Sequence, residues 1–407
     1  MAVDVYTPKQ RELLRLWQHG KLRRINLLEG SVRSGKTWIS LVVWAFWVAT
    51  MPKGGNYLMV AKTLTSLRRN CLDLLQELVG TKYFSYSLSK KEARLFGRLV
   101  YLEGVNDARA ESKIRGMTLQ GAYCDELTLF TEDFFSMLLS RLSCPGAKLI
   151  ATTNPDSPQH WLKTKYMDRA GELDMMVMKF LIEDNTFLDP AYVENLKKEY
   201  VGVFYDRFIL GQWVVAEGRV YPMFTDNPGH FILRGTTAGM DGQFYISCDY
   251  GTINPLSLGL WCVRGKQAIR IKEYYWDSKR EGRQKTDEEY YADLERLAAG
   301  YYIRRVVVDP SAASFIECIR RHGKFRVWEA DNDVLNGIRV TASLLNAGMV
   351  KIHESCKDSI REFGLYRWDE KKNSDAVLKE NDHAMDDIRY FCYTILAREF
   401  RWAQWKG

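Results

Sequence analysis

Residues 30–37 read Gly30-Ser31-Val32-Arg33-Ser34-Gly35-Lys36-Thr37, a complete G-x-x-x-x-G-K-T phosphate-binding loop. Its chemistry is anion capture. The backbone N–H groups of the loop, Gly30, Ser31, Ser34 and Gly35 among them, surround phosphate oxygens; Lys36 reaches the terminal phosphates and Thr37 offers its hydroxyl to magnesium. A helix starting there also points its positive end at the anion. Arg33 sits inside the loop, where it either neutralises transition-state charge on a γ-phosphate in cis or is a surface arginine at a variable position.

A phosphate loop needs an acidic partner on a neighbouring strand, and Asp125-Glu126 supplies one at the end of a half-apolar run. Asp125 would hold magnesium through water and Glu126 would polarise the attacking water. The apolar run into Thr152-Thr153-Asn154-Pro155 either places a sensor beside the γ-phosphate or is an ordinary strand-to-turn junction. Upstream, Gln10 either pairs with an adenine edge through its amide or serves a helix cap.

A second set of acidic residues lies in the other half of the chain. Asp249 and Asp309 each end an apolar run, where an uncompensated charge is costly to bury. Asn381-Asp382-His383-Ala384-Met385-Asp386-Asp387 then opens a helical pattern in which His383 and Asp386 share a face. That face is either a metal-ligand pair or an acidic first turn favoured by the helix dipole. Two divalent ions about 3.5–4 Å apart would hold both the attacking and the leaving oxygen of a phosphodiester.

The elements that must position these groups follow from periodicity. In the first half, expected strands at 25–29, 57–61, 99–102, 121–124, 148–152 and 175–181 alternate with helical patterns, which predicts an α/β domain with a mostly parallel sheet. A helical stretch is expected over 191–211 and a connector over 211–224. Strands at 244–249, 257–263 and 267–275 then form a meander, followed by a helix at 287–299, a strand at 305–309, a helix, a strand at 325–328 and helices from 333 onward. That order resembles the ribonuclease H-like α/β fold. At 407 residues the chain has room for about two domains; the expected division is 1–212, with a helical linker region from about 186, and 213–407.

Composition is that of a globular protein, with 46% hydrophobic and 27% charged residues. The net charge of +7 permits nucleic-acid contact without demanding it. The eight cysteines contain no C-x-x-C pair and read as reduced cytosolic thiols. No signal peptide is recognisable, and the most apolar stretch, residues 38–50, is too short to span a bilayer, so no membrane role is expected.

Taken together, the phosphate loop at 30–37, Asp125-Glu126, the Thr152–Asn154 element, Gly211-Gln212-Trp213, Arg115-Gly116 and the three acidic stations resemble the large subunit of tailed-phage terminases, with histidine in the last station resembling the prophage and headful-packaging branch. The resemblance runs over nearly the whole chain. It implies an N-terminal P-loop ATPase that translocates double-stranded DNA into a procapsid and a C-terminal ribonuclease H-like endonuclease that cuts concatemers. By that resemblance Lys36, Thr37, Asp125 and Glu126 run ATP hydrolysis, and Thr152, Thr153 and Asn154 couple it to motion. Asp249, Asp309, His383 and Asp386, or the adjacent Asp387, bind the nuclease metals. ATP, magnesium and, for the nuclease, manganese are the implied cofactors. Double-stranded DNA, the portal protein and the small terminase subunit are the implied partners, with a monomer in isolation and a ring on the portal. The implied location is the host cytoplasm and, transiently, the procapsid portal. The alternative is a helicase-like, DNA-stimulated ATPase whose C-terminal domain binds DNA without cutting it.

Overall fold

Apolar runs that alternate with helical patterns fold here into a sheet covered on both faces, because each strand sends successive side chains to opposite cores. The computed structural model describes residues 5–105, 110–251, 254–370, 372 and 375–399. It divides into two compact units, Met1–Lys197 with Gly202–Val215, and Lys198–Val201 with Ala216–Gly407. Both are mixed α/β with mostly parallel pairing, the expected fold class.

The first unit is built on β1 (Ile25–Gly30), β2 (Tyr57–Ala61), β3 (Phe84–Ser87), β4 (Glu92–Leu95), β5 (Arg98–Gly104), β6 (Gly121–Cys124), β7 (Lys148–Thr153) and β8 (Met175–Phe180), in the order β3-β4-β5-β2-β6-β7-β1-β8. Helices α1 (Pro8–Gln18) and α2 (Lys36–Thr50) lie on one face. There Leu28, Tyr57, Met59, Tyr123 and Ile150 join Trp44 and Trp47 of α2 in one core. The intervening residues Leu27, Leu58, Val60, Ala122 and Leu149 point into a second core on the other face. The β3–β4 hairpin is absent from the sequence expectation; its strands are short and half exposed, so no apolar run announces them. The expected helix over 191–211 is two helices, Pro190–Glu199 and α3 (Gly202–Phe208), separated where Gly202 takes a φ of +56°.

The second unit holds β9 (Ile232–Leu233), β10 (Gln243–Asp249), β11 (Leu256–Arg264), β12 (Gln267–Trp276), β13 (Ile303–Val308), β14 (Val327–Glu329) and β15 (Val350–His353), in the order β14-β13-β10-β11-β12-β15-β9. β10, β11 and β12 form the expected antiparallel meander, and β13 and β14 add in parallel on the β10 side. Helices α4 (Asp287–Ala298) and α5 (Ala313–His322) cover one face. The remaining helices of interest are α6 (Val334–Asn346), α7 (Lys357–Leu365) and α8 (His383–Phe391). Phe391 of α8 stacks on Trp261 of β11, with ring centroids 4.3 Å apart. Two expectations are corrected here. The strand at 325–328 is Val327–Glu329, and the helical region after 333 contains β15, whose four residues are too few to register against the helical patterns around them. Among the described residues no helix is long and apolar enough to cross a membrane, and all eight cysteines are free thiols.

Candidate functional site

Both candidate sites form at the carboxyl ends of parallel strands, where side chains from separate strands converge. In the first unit the register sets the geometry. β1 lies between β7 and β8, with Glu29 opposite Thr153 and Gly30 opposite Phe180, and β6 pairs β7 with Cys124 opposite Ala151. The phosphate loop, Asp125 and the Thr152–Asn154 segment therefore leave the sheet side by side. Gly30 is required there: its φ is +133°, and a Cβ would lie 1.9 Å from the Phe180 carbonyl oxygen.

Lys36 is buried, and its Nζ donates to the Ser31 carbonyl at 2.9 Å and to Asn154 Oδ1 at 2.7 Å. Burial lowers its pKa to about 8, against the opposing pull of Glu126, Asp125 and Glu29. Ser31 Oγ is buried with no hydrogen-bond partner, an orphan that a phosphate oxygen would satisfy. The hydroxyl of Thr152 donates to Asp125 Oδ1 at 2.7 Å, and Asn70 Nδ2 donates to Asp125 Oδ2 at 3.1 Å. Sequence reasoning misses Asn70. It sits in a π-helical turn, Arg68–Leu72, a local irregularity that re-aims side chains and carries no composition signal. Glu126 holds a left-handed backbone, φ +54°, just past the strand end.

Four expected residues are placed less directly. The Thr153 hydroxyl is engaged with Thr128 Oγ1 at 2.9 Å, in the turn after Glu126. Gln10 forms a capping box with Thr7, its Oε1 accepting from the Thr7 N–H at 3.0 Å, while its Nε2 reaches the Gly35 carbonyl at 3.5 Å. Arg33 is exposed, with a φ of +56°. Thr37 is the second residue of α2, directly after Lys36.

In the second unit β10 pairs β13 in parallel, with Cys248 opposite Val308, so the next residues, Asp249 and Asp309, leave neighbouring strand ends at the same level. The first turns of α8 complete the group. Asp249, Asp309, Asp382, His383 and Asp386 all line one cavity of about 330 Å³, together with Lys379, Arg389 and Tyr390. Asp382 and Lys379 are further members that the sequence does not mark; both sit in a polar run that reads as solvated surface. His383 Nδ1 lies 2.8 Å from Asp249 Oδ2. Arg389 donates to Asp386 Oδ1 from Nε at 3.2 Å and Nη2 at 3.0 Å, and Lys379 approaches its other oxygen at 3.4 Å. Tyr390 donates its hydroxyl to Asp309, and the Ser311 N–H adds a bond at 2.7 Å.

Burial, reinforced by the Asp386 charge, pushes the Asp249 carboxyl up to about 7 despite His383. Burial acts to lower His383, but the hydrogen bond and charge of Asp249 outweigh it and raise its pKa. Burial acts to raise Asp309 too, yet Tyr390 and Ser311 hold it below the usual carboxylate value. The oxygen-rich lining fits hard divalent cations such as magnesium or manganese. The carboxylates do not close on one another, because Arg389 draws Asp386 and Tyr390 draws Asp309. Among the described residues the one trio of donor atoms mutually within 4.8 Å lies elsewhere.

Asp387 points away from the cavity. It is fully buried, pairs with Arg270 through Nη1 and Nη2, and accepts from Ser247 at 2.8 Å and from Ser257. Asp386 is thus the carboxylate facing the cavity.

A family model described as the terminase large subunit, T4-like virus type, N-terminal, matches residues 27–225. The large terminase subunit of Escherichia phage T5 is 25% identical over 225 residues, 52% of this chain and 50% of that protein, so the match spans half the length of that relative. The solved large terminase of a thermophilic bacteriophage superposes with a TM-score of 0.91 at 35% identity, covering 97% of this chain and 100% of that one. The same thermophilic phage protein in complex with ATP-gamma-S gives a TM-score of 0.88 at 36% identity, covering 96% and 99%.

Proposed function

This chain belongs to the large terminase subunits of tailed phages, and from that premise we propose that its first unit hydrolyses ATP to drive double-stranded DNA into a procapsid while its second unit cuts DNA with divalent metal. The observation that carries the reading is the convergence of Asp249, Asp309 and Asp386, from three separate elements, on one open cavity, in a chain that also carries a complete phosphate loop. The nucleotide complexes of the thermophilic phage protein support ATP as the ligand of that loop.

In the first unit the loop N–H groups would hold the phosphates, Lys36 would exchange its Asn154 contact for a terminal phosphate oxygen, and Thr37 and Asp125 would hold magnesium. Thr152 and Asn70 orient Asp125, and Glu126 would position the attacking water. Arg33 would lend charge to the transition state from the exposed side of the loop.

In the second unit Asp249, Asp309 and Asp386, with Asp382 and His383 beside them, would hold divalent ions. Such ions, when bound, stabilise the attacking and leaving oxygens of the phosphodiester. Tyr390 fixes the Asp309 carboxylate, Arg389 and Lys379 fix Asp386, and His383 holds Asp249, so the donors keep their places before DNA arrives. The grip on duplex DNA is electrostatic, sequence-independent and weakened by salt. Choice of cutting site therefore falls to a partner, the small terminase subunit, while the portal protein seats a ring of these chains. The setting for this work is the host cytoplasm, at the procapsid.

The test is incubation of the full chain with supercoiled plasmid and manganese, with and without ATP. Linear or degraded plasmid in the absence of ATP, lost in Asp309→Asn while ATP hydrolysis persists, is the expected result. Intact plasmid with robust DNA-stimulated ATPase activity would favour a helicase-like motor with a non-cutting second unit.

A further inference from the structure

Away from both sites, the Glu288 carboxylate, the Cys318 thiol and the His322 imidazole bring one donor atom each to within 4.8 Å of one another. None of the three lines the acidic cavity. Glu288 lies in the first turn of α4; Cys318 and His322 are four apart on α5 and so share one helical face. The distance between the helices is set by packing, since Tyr290, Tyr291 and Leu294 of α4 share a core with Phe315, Ile316 and Ile319 of α5.

The imidazole is held in place. Tyr291 stacks flat on it, with ring centroids 3.8 Å apart and planes at 7°. Its Nε2 lies 2.7 Å from Glu288 Oε2, and the Cys318 sulfur lies within 4.8 Å of the same carboxylate. One carboxylate thus gathers a thiol and an imidazole, the arrangement in which protons stand where a cation would sit. Cys318 closes the inner side, whereas the His322 and Glu288 side chains are 39% and 60% exposed, leaving an entry path from solvent. A competing cation is peripheral: Arg321 is 3.8 Å from the other Glu288 oxygen.

We propose that Glu288, Cys318 and His322 form a binding site for a zinc-class divalent ion, which clips α4 to α5 and keeps a fourth position for water. Thiolate, imidazole and carboxylate together select a borderline-soft ion over magnesium or calcium. Binding releases the thiol proton and moves the imidazole proton from Nε2 to Nδ1, so uptake strengthens as pH rises.

Cobalt(II) titrated into the full chain is the test, read by the near-ultraviolet thiolate-to-cobalt charge-transfer band that carboxylate sites cannot produce. The band should saturate stoichiometrically, collapse on addition of zinc, and vanish in Cys318→Ser. Cys318 is buried, so its replacement could disturb the packing; the exposed His322→Gln and Glu288→Gln provide the independent reading. Each should weaken apparent cobalt affinity by more than about tenfold. Cobalt uptake without the band, or a band indifferent to His322→Gln, overturns the assignment.

Discussion

Asp387 and Arg270 form an ion pair with no solvent access on either side, one residue along the helix from the carboxylate that faces the acidic cavity. The pair fastens α8 to β12 and fixes the rotation of the helix, which is what turns Asp386 outward. Gly259 makes room for it, since a Cβ there would lie 1.8 Å from Arg270 Nη1. Removing one partner of a buried pair strands the other charge at a cost of about 3–5 kcal/mol. Asp387→Asn should therefore lower the stability of the second unit by that amount in chemical denaturation and lose DNA cleavage as a consequence. A variant of wild-type stability that cannot cut DNA would instead make Asp387 a metal ligand.

Gly337→Ala tests how tightly the cavity is built. Gly337 sits inside α6, where alanine would ordinarily gain about 1 kcal/mol of helix propensity. Here the added Cβ would lie 2.6 Å from Arg389 Cγ and 2.8 Å from Cδ. Arg389 is buried and holds Asp386, so it cannot move without dragging that carboxylate. Overpacking costs about 1–3 kcal/mol and outweighs the propensity gain. Metal-dependent cleavage should fall while ATP hydrolysis stays at the wild-type rate; equal loss of both would point to general unfolding.

The phosphate loop and the stations Asp249, Asp309 and Asp386 were legible because their chemistry demands fixed residue types at strand ends and helix starts. β1, β2, β6 and β7 were legible because strands buried on both faces must be continuous apolar runs. The choice between Asp386 and Asp387 was not, since it depends on Arg270 and Ser257 reaching the helix from distant strands. Asn70 is placed by a π-helical turn that no residue type announces. Asp382 and Lys379 were hidden for the opposite reason: a polar run before a helix looks the same whether it faces solvent or a cavity. The β3–β4 hairpin and β15 are too short for their alternation to stand out from helical surroundings.

Glu29 gives a prediction in pH. Burial raises its carboxyl above the ordinary value, and Lys179, the Trp213 N–H at 3.3 Å and Lys36 oppose this without cancelling it. A raised carboxyl pKa means that the folded chain binds this proton more tightly than the unfolded chain does. Relative to a neutral amide, Glu29 then costs nothing below its unfolded pKa of about 4.3 and costs most once pH has risen through the folded value. Glu29→Gln, which can still accept from Trp213, should raise the melting temperature at neutral pH, with the advantage shrinking toward about pH 4. A variant less stable than wild type at neutral pH would reverse the sign and refute the argument.

Lys36 and Asn154 together give the last prediction. Lys36 has three donors, and two are committed, to the Ser31 carbonyl at 2.9 Å and to Asn154 Oδ1 at 2.7 Å. A γ-phosphate competes with Asn154 for the ammonium, whereas a diphosphate competes less. Asn154 leads within two residues to Asp156, which pairs at 3.3 Å with the buried Arg207 of α3; Arg207 in turn grips the Val214 carbonyl with its Nε at 3.1 Å. Freeing the amide would thus pull on a segment tied to α3. If a γ-phosphate displaces Asn154 from Lys36, Asn154→Ala should still bind nucleotide and shift the affinity ratio toward ATP-γ-S over ADP by about tenfold, the worth of one charge-assisted hydrogen bond of about 1.5 kcal/mol. Lys36→Ala should weaken both ligands and abolish hydrolysis, leaving manganese-dependent cleavage measurable. Titration calorimetry with the two nucleotides separates these outcomes: an affinity ratio in Asn154→Ala equal to that of wild type would leave Asn154 as a turn residue and assign γ-phosphate recognition to Lys36 and the loop alone.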